Sequence, residues 1–433
     1  MLGTIVLVIL LALELGYAVF CITTKDYQRL VRSWINLSTL LITVLLLLTG
    51  VMSWGFRWFM LFIFLLLRAL LAGRYFLKHK LQKEKTYKVK YVILSMMSNI
   101  IMIGFVLLPA MVFPQIQLIE GTGSYEIETV SYTITDKNRT ESFADVLQDR
   151  SVTIQFWYPK ASGETFPLVV FSHGSFGFRG SNASTFKELA RNGYVVCSID
   201  HTYHAFFTKQ TDGKMVLANM DFINDAIAVT NGDYDEQRTY ELTSGWLILR
   251  QQDMNFVLED IIRNTEQGYG DPVYQLIDVR RIGLFGHSLG GATAAALGRE
   301  RADIDAVIVV DGTMLGEELG FENGRTILNS EPYPVPILNL YNEEHYRAAK
   351  EAGMNYANSY ASAHVLDARD IVIKGSGHLN FTDLPLFSPT LARMLGTGEV
   401  DSRYCIETMN QIILDYFNYY LKGAKNLELL SEY

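Results

Sequence analysis

Four apolar runs stand ahead of residue 114, at about 2–22, 34–54, 56–72 and 91–113, and they limit the fold more than any other feature. Each approaches the ~20 residues that cross ~30 Å of hydrocarbon at 1.5 Å per residue. Each reads as a transmembrane helix, and the second and third meet at Gly55 in a tight hairpin. No Lys or Arg precedes Lys25, so the first run lacks the basic start of a cleaved signal peptide and counts as a span. The charge divides at the same boundary. Residues 1–113 hold 12 Lys and Arg against 3 Asp and Glu, and the remaining 320 hold 25 against 43. A membrane-embedded basic piece is joined to an acidic soluble one. The acidic bulk argues against a nucleic-acid partner, which needs clustered Lys and Arg.

Basic side chains in short loops orient such a bundle. The loop after the third run carries Arg74, Lys78, Lys80, Lys83, Lys85, Lys88 and Lys90, and the first loop carries Lys25, Arg29 and Arg32. The second loop has only Arg57. The first and third loops are therefore expected in the cytoplasm. Both chain ends, and everything after residue 113, then lie outside it, as in a multi-pass plasma-membrane protein. Glu14 and Arg68 each lie 12 residues from the outer end of a run, about 18 Å deep at 1.5 Å per residue. Unpaired charge in lipid is costly, so equal depth predicts an ion pair between the first and third helices.

After a linker at 114–123 the pattern changes to short β-branched and aromatic runs alternating with helical segments. Strands are predicted at 125–135, 152–158, 168–172, 194–199, 281–285, 306–310, 336–341 and 370–374. Helices are predicted at 184–192, 246–263, 290–299, 345–359 and 407–421. The later strands are almost wholly apolar, as parallel strands buried on both faces must be. The expected fold class over 124–433 is α/β, a doubly wound, mostly parallel sheet with helices on both faces. Residues 202–244 are polar and long, and read as an irregular insertion above the sheet, a lid.

Gly286-His287-Ser288-Leu289-Gly290 closes the strand at 281–285 and opens an alanine-rich helix. Strand, sharp turn and helix lift a serine into an exposed elbow, and a Cβ on either flanking glycine would collide with the strand or helix beside it. A serine hydroxyl attacks only when a base removes its proton, and an acid must orient that base. His345, His364 and His378 follow Ser288. His378 lies just past the last strand in Lys374-Gly375-Ser376-Gly377-His378, where small residues let a loop reach back over the serine. His345 and His364 read as solvated. For the acid, Asp311 ends the run 306–310 at the carboxyl edge of the sheet, and Glu343 and Glu344, after the next strand, are its rivals. An oxyanion needs two backbone N–H donors. Leu289 supplies one, and the loop His173-Gly174-Ser175-Phe176-Gly177 supplies the other through Ser175.

Three cysteines (Cys21, Cys197, Cys405) fit neither a disulfide scaffold nor a zinc site. Asp200-His201-Thr202-Tyr203-His204 is thin as a metal motif and reads as a pocket-lining loop. No metal or organic cofactor is expected.

The stretches PLVVFSHG (167–174), DVRRIGLFGHSLGGATAAAL (278–297), DAVIVVDG (305–312) and KGSGHLNFTD (374–383) resemble α/β-hydrolases of the platelet-activating factor acetylhydrolase and dienelactone-hydrolase-like group. The resemblance is spread over about 150–425 and leaves 1–113 and the 202–244 insertion without counterpart. It implies an α/β-hydrolase fold with Ser288 as nucleophile, Asp311 as acid, His378 as base, and Leu289 and Ser175 as oxyanion donors, and so favours Asp311 over Glu343. It implies hydrolysis of carboxylic esters, short acyl chains on phospholipids among them. The expectation is a membrane-anchored serine esterase whose partners are an ester or lipid substrate and the bilayer. Acyl transfer or amide cleavage by the same triad is the alternative, and a non-catalytic membrane scaffold is the second alternative.

Overall fold

The structure is a computed structural model describing residues 2–78, 86–116, 119–144, 146–268, 270–322, 324–365 and 367–433. Contacts divide the chain into two units, Met1–Gln117 with Leu386–Leu391, and Leu118–Pro385 with Ala392–Tyr433.

The first unit is built on four helices, α1 (Leu2–Thr24), α2 (Arg29–Leu48), α3 (Phe56–Lys78) and α4 (Val89–Val112). All four are long and apolar enough to cross a membrane. Their shared core holds Leu10, Trp58, Leu61, Leu65, Ile103 and Leu107. Their outer faces expose Val8, Leu41, Leu70, Leu94, Ile101 and Phe105.

The second helix differs most from expectation. It starts at Arg29 rather than 34 and stops at Leu48, where Gly50 takes φ +76°. Arg29 and Arg32, read as loop residues, are thus helical. Arg32 has a helical partner to reach, because Glu14 Oε2 accepts its Nη1–H at 2.8 Å while Oε1 accepts from Arg68 Nη2 at 2.8 Å. The expected Glu14–Arg68 pair is one arm of a three-residue cluster. Of the basic loop, Lys80, Lys83 and Lys85 lie outside the described residues.

The second unit is built on an eight-stranded sheet: β1 (Ile127–Thr140), β2 (Asp149–Pro159), β3 (Phe166–Ser172), β4 (Val195–Asp200), β5 (Ile277–His287), β6 (Ala306–Val310), β7 (Ile337–Asn342) and β8 (Ala368–Ile373). Their spatial order is β1-β2-β4-β3-β5-β6-β7-β8. The β1–β2 and β2–β4 pairs are antiparallel and the remainder parallel. The fold is a mostly parallel α/β sheet. Its helices are α5 (Ala183–Arg191), α6 (Met220–Asn231), α7 (Glu236–Gln267), α8 (Leu289–Glu300), α9 (Glu343–Ala352), α10 (Ala357–Ala363) and α11 (Ser402–Lys422). Alternation along the strands serves both layers. Leu168, Val170 and Leu284 join Met254, Val257 and Leu258 of α7 in one core cluster. Phe171 and Phe285 each meet Phe186 of α5 edge to face, and Phe285 meets Phe417 of α11 in the same way.

Residues 202–244 are not irregular. They form a two-stranded hairpin (Phe207–Lys209 with Met215–Leu217), then α6, and the first turns of α7, which begins ten residues before the predicted start at 246. Polar sequence hid these helices, but their ends are capped. Asn219 and Asp235 accept the N–H groups of Phe222 and Arg238, and Gly232 closes α6 at φ +74°. The helix predicted at 345–359 is broken at Gly353, φ +55°, into α9 and α10.

Candidate active site

Register brings the site together. Ser172 pairs with Gly286, Gly286 with Val309, and Val310 with Leu340, so β3, β5, β6 and β7 end at one carboxyl edge. Ligands bind at that edge in doubly wound sheets.

Ser288 follows β5 with φ +56° and ψ −125°, a conformation an L residue adopts only under constraint. The constraint is packing on both sides. A Cβ on Gly286 would sit 2.1 Å from Gly290 O, and one on Gly290 would sit 2.0 Å from Ser172 O. Ser288 N–H donates to Val310 O at 2.8 Å, tying the elbow to β6. Ser288 occupies the N-cap position of α8, yet its side chain caps nothing. The hydroxyl is left half-buried at the elbow.

Asp311, one residue past β6 and itself at φ +51°, is 3% exposed and accepts four hydrogen bonds. Oδ2 accepts from His378 Nδ1 at 2.5 Å and from Asn342 Nδ2 at 2.5 Å. Oδ1 accepts from the Asn342 backbone N–H at 2.9 Å and from His345 Nδ1 at 2.9 Å. Burial alone would raise this carboxyl, but the hydrogen bonds it accepts from His345 and His378 outweigh it and hold Asp311 well below the usual carboxylate range. It is therefore ionised, and each imidazole presents an Nδ1–H to it.

His378 opens a short turn, His378–Phe381, and its side chain is 43% exposed. Its ring lies 4.5 Å, centroid to centroid, from that of His287, the residue before Ser288. His287 Nε2 donates to His378 O at 3.1 Å, and burial together with His378 pushes His287 down to about 3, so it is neutral. These contacts hold the His378 loop against the elbow. The hydrogen bonds among the described residues do not include one from Ser288 Oγ to His378. In unliganded enzymes that bond is often long and tightens only with substrate.

Glu343 does not meet His378. Its Oε2 accepts the N–H of Gly375 at 2.7 Å, where it braces the loop leading to His378. Glu344 is exposed on α9. His364 is exposed and bonded to its own helix through Tyr360 O. His345 is the exception to the solvated reading, with its side chain 21% exposed and Nε2 2.5 Å from Tyr356 Oη, which in turn lies 3.0 Å from Thr313 Oγ1. The signal for it was Asn342, which caps α9 by accepting the His345 N–H and so sets the first turn of that helix at the sheet edge.

Leu289 is the first residue of α8, where helix N–H groups lack intrahelical acceptors. The loop holding Ser175 lies beside it. A Cβ on Gly174 would come 3.4 Å from Ser288 Cβ and 2.9 Å from His287 Nδ1. Beneath that loop Arg250 of α7, fully buried, donates to His173 O at 2.5 Å and to Gly174 O at 3.5 Å. Drawing these carbonyls to one side leaves the neighbouring N–H groups free to face the other. Sequence reasoning passed over Arg250, an isolated cation in a helix whose neighbours on that face are Leu247 and Met254.

His201 and His204 are occupied elsewhere. His201 lies between Ser172 Oγ (2.8 Å) and Asp253 Oδ2 (3.1 Å), and His204 stacks on Phe222 of α6 at 3.9 Å. Among the described residues no His, Cys, Asp and Glu cluster suits a metal ion. Cys197 is buried in β4, and burial pushes its thiol up. From the insertion, Phe222 and Ala226 pack with Leu289 and Ala292, so α6 forms one wall beside the elbow.

Three comparisons bear on this arrangement. The platelet-activating factor acetylhydrolase from Cavia porcellus is 25% identical over 291 residues, 62% of this chain and 61% of that protein. The one from Canis lupus familiaris is 24% identical over 291 residues, 62% of this chain and 60% of that protein. The match thus spans about three-fifths of the length of these relatives. A ferulic acid esterase from Streptomyces cinnamoneus superposes with a TM-score of 0.57 at 20% identity, over 73% of this chain and 97% of its own, a likeness of fold. The family model for platelet-activating factor acetylhydrolase, isoform II, matches residues 143–429, a stretch that holds the elbow, Asp311 and His378. This chain belongs to the platelet-activating factor acetylhydrolase isoform II family.

Proposed function

We infer that the protein is a membrane-anchored serine esterase that hydrolyses carboxylic esters through an acyl-enzyme. The observation that carries this is the buried Asp311 carboxylate on His378 Nδ1, in a loop held against the Ser288 elbow. With Nδ1–H given to Asp311, Nε2 is the ring's proton acceptor. Ser288 Oγ attacks the ester carbonyl as its proton passes to His378 Nε2. The tetrahedral oxyanion is stabilised by the N–H groups of Leu289 and Ser175, and His378 returns the proton to the leaving alcohol. Water, deprotonated by His378, then releases the acid and restores Ser288. Relatives named for platelet-activating factor acetylhydrolase activity support esters with short acyl chains, lipids included.

Anchoring rests on α1–α4, whose outward apolar side chains are suited to lipid rather than water. Lys25 between α1 and α2, Arg29 and Arg32 in the first turn of α2, and the lysines between α3 and α4 favour that end of the helices in the cytoplasm and the catalytic unit outside it. One experiment tests chemistry and topology together: labelling of intact cells by a membrane-impermeant fluorophosphonate. The parent should label and Ser288→Ala should not. Labelling that persists in the variant rejects Ser288 as nucleophile, and labelling that needs permeabilised cells reverses the orientation.

A further inference from the structure

The carbonyl of the Gly174–Ser175 peptide collects several donors. Gly174 O accepts from His173 Nδ1 at 2.6 Å, from the Gly177 N–H at 3.1 Å and from Arg250 Nη2 at 3.5 Å. The carbonyl before it, His173 O, accepts from Arg250 Nη1 at 2.5 Å. His173 and Arg250 are both fully buried, so water does not compete for these bonds. The guanidinium is itself fixed, because Arg250 Nε donates to His204 Nδ1 and Nη2 to His204 O, each at 3.3 Å. One rigid planar fork thus ties the loop after β3 to the loop after β4.

The proton of His173 is placed by its neighbours. Burial, with the Arg250 cation beside it, holds this imidazole well below the ordinary histidine value, so it is neutral and carries one N–H. Nε2 accepts the His201 N–H at 3.4 Å, which leaves the proton on Nδ1, aimed at Gly174 O. A trans peptide is planar, with its C=O and N–H on opposite sides. Donors that hold Gly174 O therefore turn the Ser175 N–H, in the same peptide, the other way. That N–H has no acceptor among the described residues. The loop abuts the elbow, where a Cβ on Gly174 would lie 3.4 Å from Ser288 Cβ. Donors on the carbonyl also polarise the peptide and strengthen its N–H as a donor.

We propose that Arg250 and His173 are positioning residues of the oxyanion hole, fixing and polarising the Gly174–Ser175 peptide so that its N–H meets the charge developing on the substrate oxygen. This deepens, and rests on, the reading of Ser288 as nucleophile and Ser175 as second donor. Both side chains act through one peptide and not on the substrate. The dipole is oriented before the ester arrives, so no reorganisation is needed when the charge forms.

The test uses the full chain in detergent, a soluble short-chain ester and two inhibitors. One is a trifluoromethyl ketone: Ser288 Oγ adds to its carbonyl carbon, the serine proton passes to His378 Nε2, and the carbonyl oxygen becomes the oxyanion. The other is the corresponding alcohol, which Ser288 cannot attack. Arg250→Met and His173→Phe should each lower kcat at least about ten-fold, towards the ~10²-fold of a lost oxyanion donor, with KM within about three-fold. Each should weaken the ketone by the same factor as kcat/KM and leave the alcohol unchanged. Arg250→Lys, which keeps one charged donor, and His173→Asn, whose amide N–H replaces the Nδ1–H, should each recover part of the loss. Full kcat in folded Arg250→Met and His173→Phe overturns the proposal, and so does equal weakening of ketone and alcohol, the mark of a deformed pocket. If Arg250→Met does not fold, the two His173 variants decide, since they test the same carbonyl without removing the buried cation. Turnover that survives Ser288→Ala rejects the esterase reading. Turnover that Ser288→Ala abolishes but the Arg250 and His173 variants retain rejects only the positioning roles.

Discussion

Asp311 Oδ1 accepts a hydrogen bond from His345 Nδ1 at 2.9 Å while Oδ2 accepts from His378, so one carboxylate is shared by two imidazoles 33 residues apart in the chain. Only His378 lies against the elbow. His345 fixes the carboxylate from behind, and Tyr356 holds His345 through its other nitrogen.

On that arrangement His345 is a positioning residue. A hydrogen bond to a charged group contributes ~1.5–3 kcal/mol, and ~1.4 kcal/mol is ten-fold in rate. His345→Leu should lower kcat about ten-fold or more on a soluble ester with KM nearly unchanged, and His345→Gln, which retains a donor, should recover part of the loss. Full kcat in a stably folded His345→Leu enzyme would show that Asn342 and His378 suffice to hold the acid.

Asp311→Asn should cost on the order of 10³–10⁴ in kcat, because an amide no longer selects the tautomer with Nε2 free. Glu343→Gln keeps an acceptor for Gly375 N–H and should stay within about three-fold of the parent. Kinetics of the two variants side by side decide which residue is the acid, and the reverse ranking would transfer the role to Glu343.

Gly290→Ala places a methyl group 2.0 Å from Ser172 O, a contact between two backbones that no rotamer relieves. A loss of at least about 3 kcal/mol is expected, seen as a large fall in melting temperature or as insoluble protein. A soluble variant melting within a degree or two of the parent would mean the elbow is looser than drawn.

Acid should destabilise the second unit through its buried histidines. Burial lowers His201 from 6.5 to about 4 and His287 from 6.5 to about 3. Unfolded chains take up those protons first, so the stabilisation is complete above pH 6.5 and is lost as pH falls towards 4 and then 3. For His201 the loss by pH 4 is on the order of 3 kcal/mol. His201→Gln removes that titration, and its melting temperature should fall less between pH 6.5 and 4 than the parent's. Parallel curves would show that His201 is not neutral in the fold. The difference between proteins isolates this group from Asp200 and Asp383, which burial raises to about 6 and which act in the opposite direction.

The amino-acid sequence alone determined what depends on neighbours along the chain. Eight strands were legible because apolar and β-branched runs have a local period, and the elbow because the glycines flanking Ser288 answer steric contacts only a few residues away or on the adjoining strand. Four long apolar helices follow from run length, although their ends moved where Arg29 and Arg32 proved helical. Tertiary structure alone decided the polar partners. Glu14 and Arg32 are 18 residues apart, Asp311 and His345 34, and Arg250 and His173 77, and no periodicity links such pairs. Charge and hydrogen bonding act through space, and a buried polar group takes whichever partner the packed chain brings within about 3 Å. The same reason hid α6 and the start of α7, whose polar segments are held as helices by their caps and by Phe222 packing on the first turns of α8.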